Sequence, residues 1–174
     1  MALLYLIVYR TSQATAVIAA LALVLMVGFI AVEIVMRFFF STSTFVQDEF
    51  LGYGLSICIV WSLGYTLENG SMIQVNLLSS RLSDTTQRWL TAIGSAATAF
   101  VILGLTYMFW LRAAKAWDRG SVSATSAEMP VWIPETIIAV GLLLFALQLM
   151  AHAARHITDH PSPAPAAVLD HHDQ

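Results

Sequence analysis

Apolar residues in this chain gather into four long runs, at residues 14–36, 50–67, 89–111 and 131–151. Each run is near the roughly 20 residues that a helix needs to cross about 30 Å of hydrocarbon. Only two charged residues fall inside them, Glu33 and Glu135, both close to an end. Backbone groups in lipid must find partners within the chain, and runs of this length read as helices, not barrel strands. The pattern therefore predicts an all-α integral membrane protein with four transmembrane helices. The first run is read as a retained span, not a cleaved signal peptide, because it is too long for a signal h-region and no small-x-small site precedes a polar start. The apolar decapeptide before it, MALLYLIVYR, is expected to lie in the interface or to extend a tilted helix.

Between spans two and three the pattern changes. Ile73 and Leu77 stand four apart, as do Leu78 and Leu82, among Gln74, Ser80, Arg81 and Asp84. This is amphipathic periodicity in a segment too short and polar to span. It predicts a helix along the membrane surface over about residues 71–85, an interfacial brace. Span three is expected to run on through LRAAKAWDRG, with Arg112, Lys115 and Arg119 on one face and Gly120 as its stop. Pro130 and Pro134 suit the start of span four. Trp89 and Trp110 are 21 residues apart, about 31 Å at the helical rise, which places one at each interface; Trp132 opens span four at the same level. The membrane domain is read as residues 1–157. Residues 158–174, rich in Pro, Ala, Asp and His without periodicity, read as a disordered tail.

Composition sharpens this. The chain has 174 residues, 58% hydrophobic and 11% charged, against about a quarter charged in a soluble domain. The net charge of −3 excludes a nucleic-acid footprint. The lone Cys58 allows no intrachain disulfide and reads as a small hydrophobe. Orientation is undetermined by charge. Arg10, Arg81, Arg88 and Arg155 fall on one side of the membrane, and Arg37, Arg112, Lys115 and Arg119 on the other, a tie under the positive-inside rule. Small residues four apart, Gly52 with Ser56, Gly54 with Cys58, Gly94 with Thr98 and Ser95 with Ala99, mark close helix contacts.

The charges at the first hairpin are the main candidates for chemistry. Glu33 and Arg37 stand at i and i+4 with the acid first, the favourable order for an intrahelical pair. Asp48 and Glu49 open span two on the same side, either solvated or drawn to a base. The preferred reading has Arg37 bridge Glu33 and Glu49 and so lock spans one and two, a structural charge cluster or subunit contact. His152 and His156 share a helix face, but every histidine lies at or beyond position 152, so no other span offers a haem or metal partner. They read as headgroup-level polar residues. Asp170, His171, His172 and Asp173 sit in the tail without fixed geometry. No nucleophile set, phosphate-cradling glycine loop or paired buried carboxylates appear, so the chain reads as neither an enzyme nor the holder of a cofactor. No proline interrupts the middle of a span, as broken-helix carriers require. The remaining reading is an accessory subunit, with a self-sufficient small oligomeric carrier or channel using Glu33 as the alternative.

The ordered features resemble the small membrane (Q-type) subunit of tripartite ATP-independent periplasmic, or TRAP, transporters over residues 14–152. The resemblance rests on Arg37 after span one, Asp48-Glu49 opening span two, Trp61 and Gly64 within it, the segment GSMIQVNLL, and PVWIP with Gly141. Two motifs depart from the family pattern. Val46 stands where Trp-x-Glu-Glu has its tryptophan. In Gly-x-His-Ile-x-Val-Asp, Met72 replaces the histidine and Asn76 the aspartate. The resemblance implies a sodium-driven machine of the bacterial inner membrane. A periplasmic substrate-binding protein would deliver a small organic acid or similar solute to a large elevator-type subunit, which this chain would brace in phospholipid. It also implies both termini in the cytoplasm, which sets Arg112, Lys115 and Arg119 on the periplasmic side for docking or headgroup contact.

Overall fold

A computed structural model describes residues 2–43, 46–69, 84–125 and 127–158, and the described residues form four helices. They are α1 (Ala2–Phe40), α2 (Gln47–Glu68), α3 (Asp84–Asp118) and α4 (Trp132–Thr158). All four are long and apolar enough to cross a membrane. Each extends past the apolar run that predicted it, because a helix continues into the polar interface until a residue stops it. Residues 2–10 settle one expectation: they extend α1 instead of forming a separate surface helix. Asp84 and Thr85 belong to the start of α3. The rest of the expected surface helix, with Ile73, Leu77, Leu78 and Leu82, lies outside the described residues, as does the tail beyond Thr158.

Charge defines the membrane slab. No charged residue occurs between Arg10 and Glu33, Glu49 and Glu68, Arg88 and Arg112, or Glu135 and Arg155. These gaps of about 18–23 residues correspond to about 27–35 Å of helix, the thickness of a hydrocarbon core.

Alternate up and down passage makes α2 and α4 parallel to each other and antiparallel to α1 and α3. The α3–α4 interface is the most extensive, followed by α1–α2 and α2–α4, with a slight contact between α1 and α4. Helix α4 is thus the hub: 44% of its apolar window is buried, against 11% in each of the other three. Sequence spacing explains the close packing. Ala139, Ala146 and Ala153 recur every seven residues on α4, and Ala92, Ala99 and Ala113 fall on a matching seven-residue column of α3. All six are buried. Small side chains let the backbones approach, and a seven-residue repeat suits left-handed crossing. Helix α1 keeps the same seven-residue spacing with Ser12, Ala19, Met26 and Glu33, of which only the first two are small. Three of these are among its few buried residues, and Met26 packs against Gly54 of α2. A small core of Leu67, Ala99, Phe145 and Leu149 joins α2, α3 and α4.

The expected stop at Gly120 is present with φ of 58°. Its N–H donates to Trp117 O, and Ser121 N–H donates to Ala116 O at 2.9 Å, the paired bonds of a Schellman cap. The chain then folds back as a short hairpin, with Val122 bridged to Pro130, and delivers Trp132 edge-on to Trp117.

Candidate functional site

The described charged side chains form clusters at the two ends of the slab. At the end bearing the α1–α2 and α3–α4 connections, Glu33 is 2% exposed on the inner face of α1. Arg37 Nε donates to Glu33 Oε1 at 3.0 Å, and Ser43 Oγ donates to the same oxygen at 2.5 Å. Arg37 Nη2 also reaches Ser43 Oγ at 3.2 Å and Gln47 Oε1 at 3.4 Å. The chain can fold back onto Arg37 because Ser41, just past α1, adopts φ of 53°, a left-handed conformation of the kind that ends many helices.

The expected bridge from Arg37 to Glu49 is not formed. Glu49 accepts a hydrogen bond from Thr125 Oγ1, and the hydroxyls of Ser123 and Tyr53 face the same carboxylate. Glu49 thus ties α2 to the α3–α4 hairpin and not to α1. The reason is positional. Thr125 holds one oxygen of Glu49, with Ser123 and Tyr53 nearby, while Oε1 is buried with no hydrogen bond among the described residues; Arg37 is already held by acceptors within ten residues of itself. Asp48 is exposed and makes no hydrogen bond among the described residues.

Glu135, in the first turn of α4, is also claimed. Arg112 Nε and Nη2 both approach its Oε1 at 3.1 Å, while the guanidinium lies 5.6 Å from the Phe109 ring centroid. Arg112 is therefore engaged within the chain. Lys115 and Arg119 remain exposed beside it.

At the opposite end stands a pair that spacing did not predict. Arg155 Nη2 donates to Glu68 Oε1 across α2 and α4, with side chains 6% and 0% exposed. Two signals in the sequence point to it. Glu68 lies in the last turn of α2, where the negative end of the helix dipole disfavours an acid, and Arg155 lies in the last turns of α4, where a base is favoured. One turn inward, Gly64 makes room for Gln148: a Cβ at position 64 would fall 1.5 Å from Gln148 Oε1. Further in, Trp61 Nε1 donates to Ile137 O at 3.1 Å, and its ring edge sits where a Gly141 Cβ would be.

The other predicted residues fall as follows. Trp89 and Trp110 are each 56% exposed near opposite ends of α3. His152 is half-buried, and its Nδ1 lies 3.2 Å from Ser95 Oγ, which links α4 to α3. The side chain of His156 is outside those described. Among the described residues no group of His, Cys, Asp and Glu is arranged to hold a metal. Gly54 is in contact as expected. At Gly52 and Gly94, by contrast, an added Cβ would meet nothing within 4 Å, so both face away from the chain's own helices.

The seam residues Trp61, Gly64 and Gly141 and the cluster built on Arg37 are those that carried the likeness to Q-type subunits. No curated protein and no solved structure matches the chain. A family model does match, that of the tripartite ATP-independent periplasmic transporters, DctQ component, over residues 26–159. This is most of the chain and includes every cluster described above except the start of α1, so the protein belongs to the DctQ family, the small membrane component of TRAP transporters.

Proposed function

We propose that this chain is the fixed, bracing subunit of a sodium-driven TRAP transporter. It steadies the large elevator-type subunit while that subunit carries a small organic acid or similar solute. The observation that supports this reading is the separation of the charge clusters. They sit at the two ends of the slab, and each helix is free of charge between them. The described carboxylates are engaged by Arg37, Arg112, Arg155 or hydroxyls, apart from exposed acids such as Asp48. Glu33 in particular accepts bonds from Arg37 and Ser43, and these would have to be given up each time it exchanged a proton. An elevator needs one part to stay still in the bilayer. Additional helices enlarge that part's lipid footprint, and α1 and α3 offer broad apolar faces for lipid or a neighbour.

With both termini in the cytoplasm, the Lys115 and Arg119 pair faces the periplasm. These two, more than the engaged Arg112, are the bases to dock the substrate-binding protein. Residues 71–85 would act as a lateral brace at the cytoplasmic interface through Leu78 and Leu82. The deciding experiment is reconstitution. The chain alone in liposomes should carry no solute, whereas the chain co-purified with its large partner should support sodium-dependent uptake. Flux through the chain alone, abolished by Glu33→Gln, would instead favour the self-sufficient carrier. Charge reversal at Lys115 and Arg119 should weaken docking of the binding protein, and Leu78→Asp with Leu82→Asp should loosen the membrane complex; intact docking and assembly in these variants would reject both assignments.

A further inference from the structure

We propose that the α1–α2 groove and the polar cavity above it form a site for one phospholipid whose zwitterionic headgroup carries a primary amine, as in phosphatidylethanolamine. On α1, Ala22, Met26, Phe29, Glu33 and Arg37 follow one another at helical spacings of three or four and share one face. The inner part of this face lines an apolar cavity of about 250 Å³, closed on its other sides by Leu51 and Gly54 of α2 and by Ile137 of α4. Its outer part, with Arg37, lines a polar cavity of about 580 Å³ together with Ser41, Thr42, Ser43, Gln47 and Asp48. The two cavities therefore stand one above the other on the same pair of helices. From Met26 to Arg37 the rise is about 16 Å, the span from acyl chain to headgroup.

The chemistry of the upper cavity is that of a zwitterion. Arg37 uses Nε and Nη2 for its described bonds, which leaves the N–H groups of Nη1 for a phosphate. Asp48 is an exposed carboxylate with no hydrogen bond among the described residues, suited to an ammonium donor. Charge-assisted bonds of this kind are the strong ones. The adjacent Phe38, Phe39 and Phe40 are 80%, 72% and 68% exposed, which keeps this rim at lipid level. The lower cavity is lined mainly by apolar side chains, among them Leu25, Met26, Phe29 and Ile57, as an acyl chain requires.

The test uses the full-length chain extracted with its membrane partners and washed in detergent, then analysed by native mass spectrometry with phosphatidylethanolamine, phosphatidylcholine and phosphatidylglycerol added in turn. One phosphatidylethanolamine should survive washing that strips bulk lipid, in preference to the other two. Asp48→Asn should weaken its retention about tenfold and erase the preference. Ala22→Phe, which fills the groove, should reduce retention of all three. Equal retention of the three lipids that is indifferent to Asp48→Asn would overturn the proposal. So would cross-linking of an Ala22→Cys variant, in a Cys58→Ser background, to the large subunit, because the groove would then hold protein.

Discussion

Glu33–Arg37 and Glu68–Arg155 are both ion pairs of a nearly inaccessible carboxylate, yet they do different work. The first lies within one helix, with its arginine side chain 59% exposed beside a polar cavity. Any α1 helix would form it, so it neutralises a charge without choosing a partner helix. The second joins two helices and buries both members. It exists only when α2 and α4 are in register. Its carboxylate also has a second oxygen, Oε2, that is buried with no hydrogen bond among the described residues. A local pair makes a charge tolerable in a membrane, whereas a tertiary pair makes one arrangement of helices preferable to its neighbours.

The sharpest way to break this contrast is Arg155→Ala. It leaves the Glu68 carboxylate without its partner in a closed seam and should cost about 3–5 kcal/mol, seen as a lower thermal midpoint of the purified protein and loss of co-purifying partner. Glu68→Gln with Arg155→Leu should recover most of that loss; a double variant as unstable as the single would show that the pair is not the cause. Next in size is Gly64→Leu, whose side chain must displace Gln148 and should cost about 1–3 kcal/mol. Gln148→Ala added to it should restore part of the midpoint, and no restoration would place the clash elsewhere. Arg37→Ala should cost less than Arg155→Ala, about 1–2 kcal/mol, because Ser43 still donates to Glu33 and the cavity admits water. Equal losses in the two arginine variants, measured by thermal unfolding in the same detergent, would remove the distinction between local and tertiary pairs. The smallest effect is expected from Trp61→Phe, which keeps the ring against Gly141 but gives up the bond to Ile137 O, about 1 kcal/mol.

The four spans, the extension of α3 and its stop at Gly120 were legible because hydrophobic length and a φ-permissive residue act locally. The Glu33–Arg37 pair was legible for the same reason. Glu49 was not, since its partner Thr125 is 76 residues away and a hydroxyl gives no charge signal. Glu68 with Arg155 escaped because each looked like an ordinary interfacial charge, and only the dipole argument hints that Glu68 needs a base. The inward faces of the spans were also hard to read. In a lipid-facing helix both sides are apolar, so hydrophobicity does not separate them. The usable signal is the seven-residue spacing of small residues in α3 and α4.

The sequence by itself determined that this is a four-span membrane protein, where its charges meet the interface, and which family its motifs resemble. Each of these follows from the cost of placing charge or an unpaired backbone group in hydrocarbon, a cost set by composition over a few turns. Only the tertiary structure decided that α4 is the hub, that Glu49 answers to Thr125, and that Glu68 and Arg155 close the seam. Helices in lipid gain little from hydrophobic contact with one another, so their arrangement rests on close approach and a few polar bonds, and those join residues far apart in the chain.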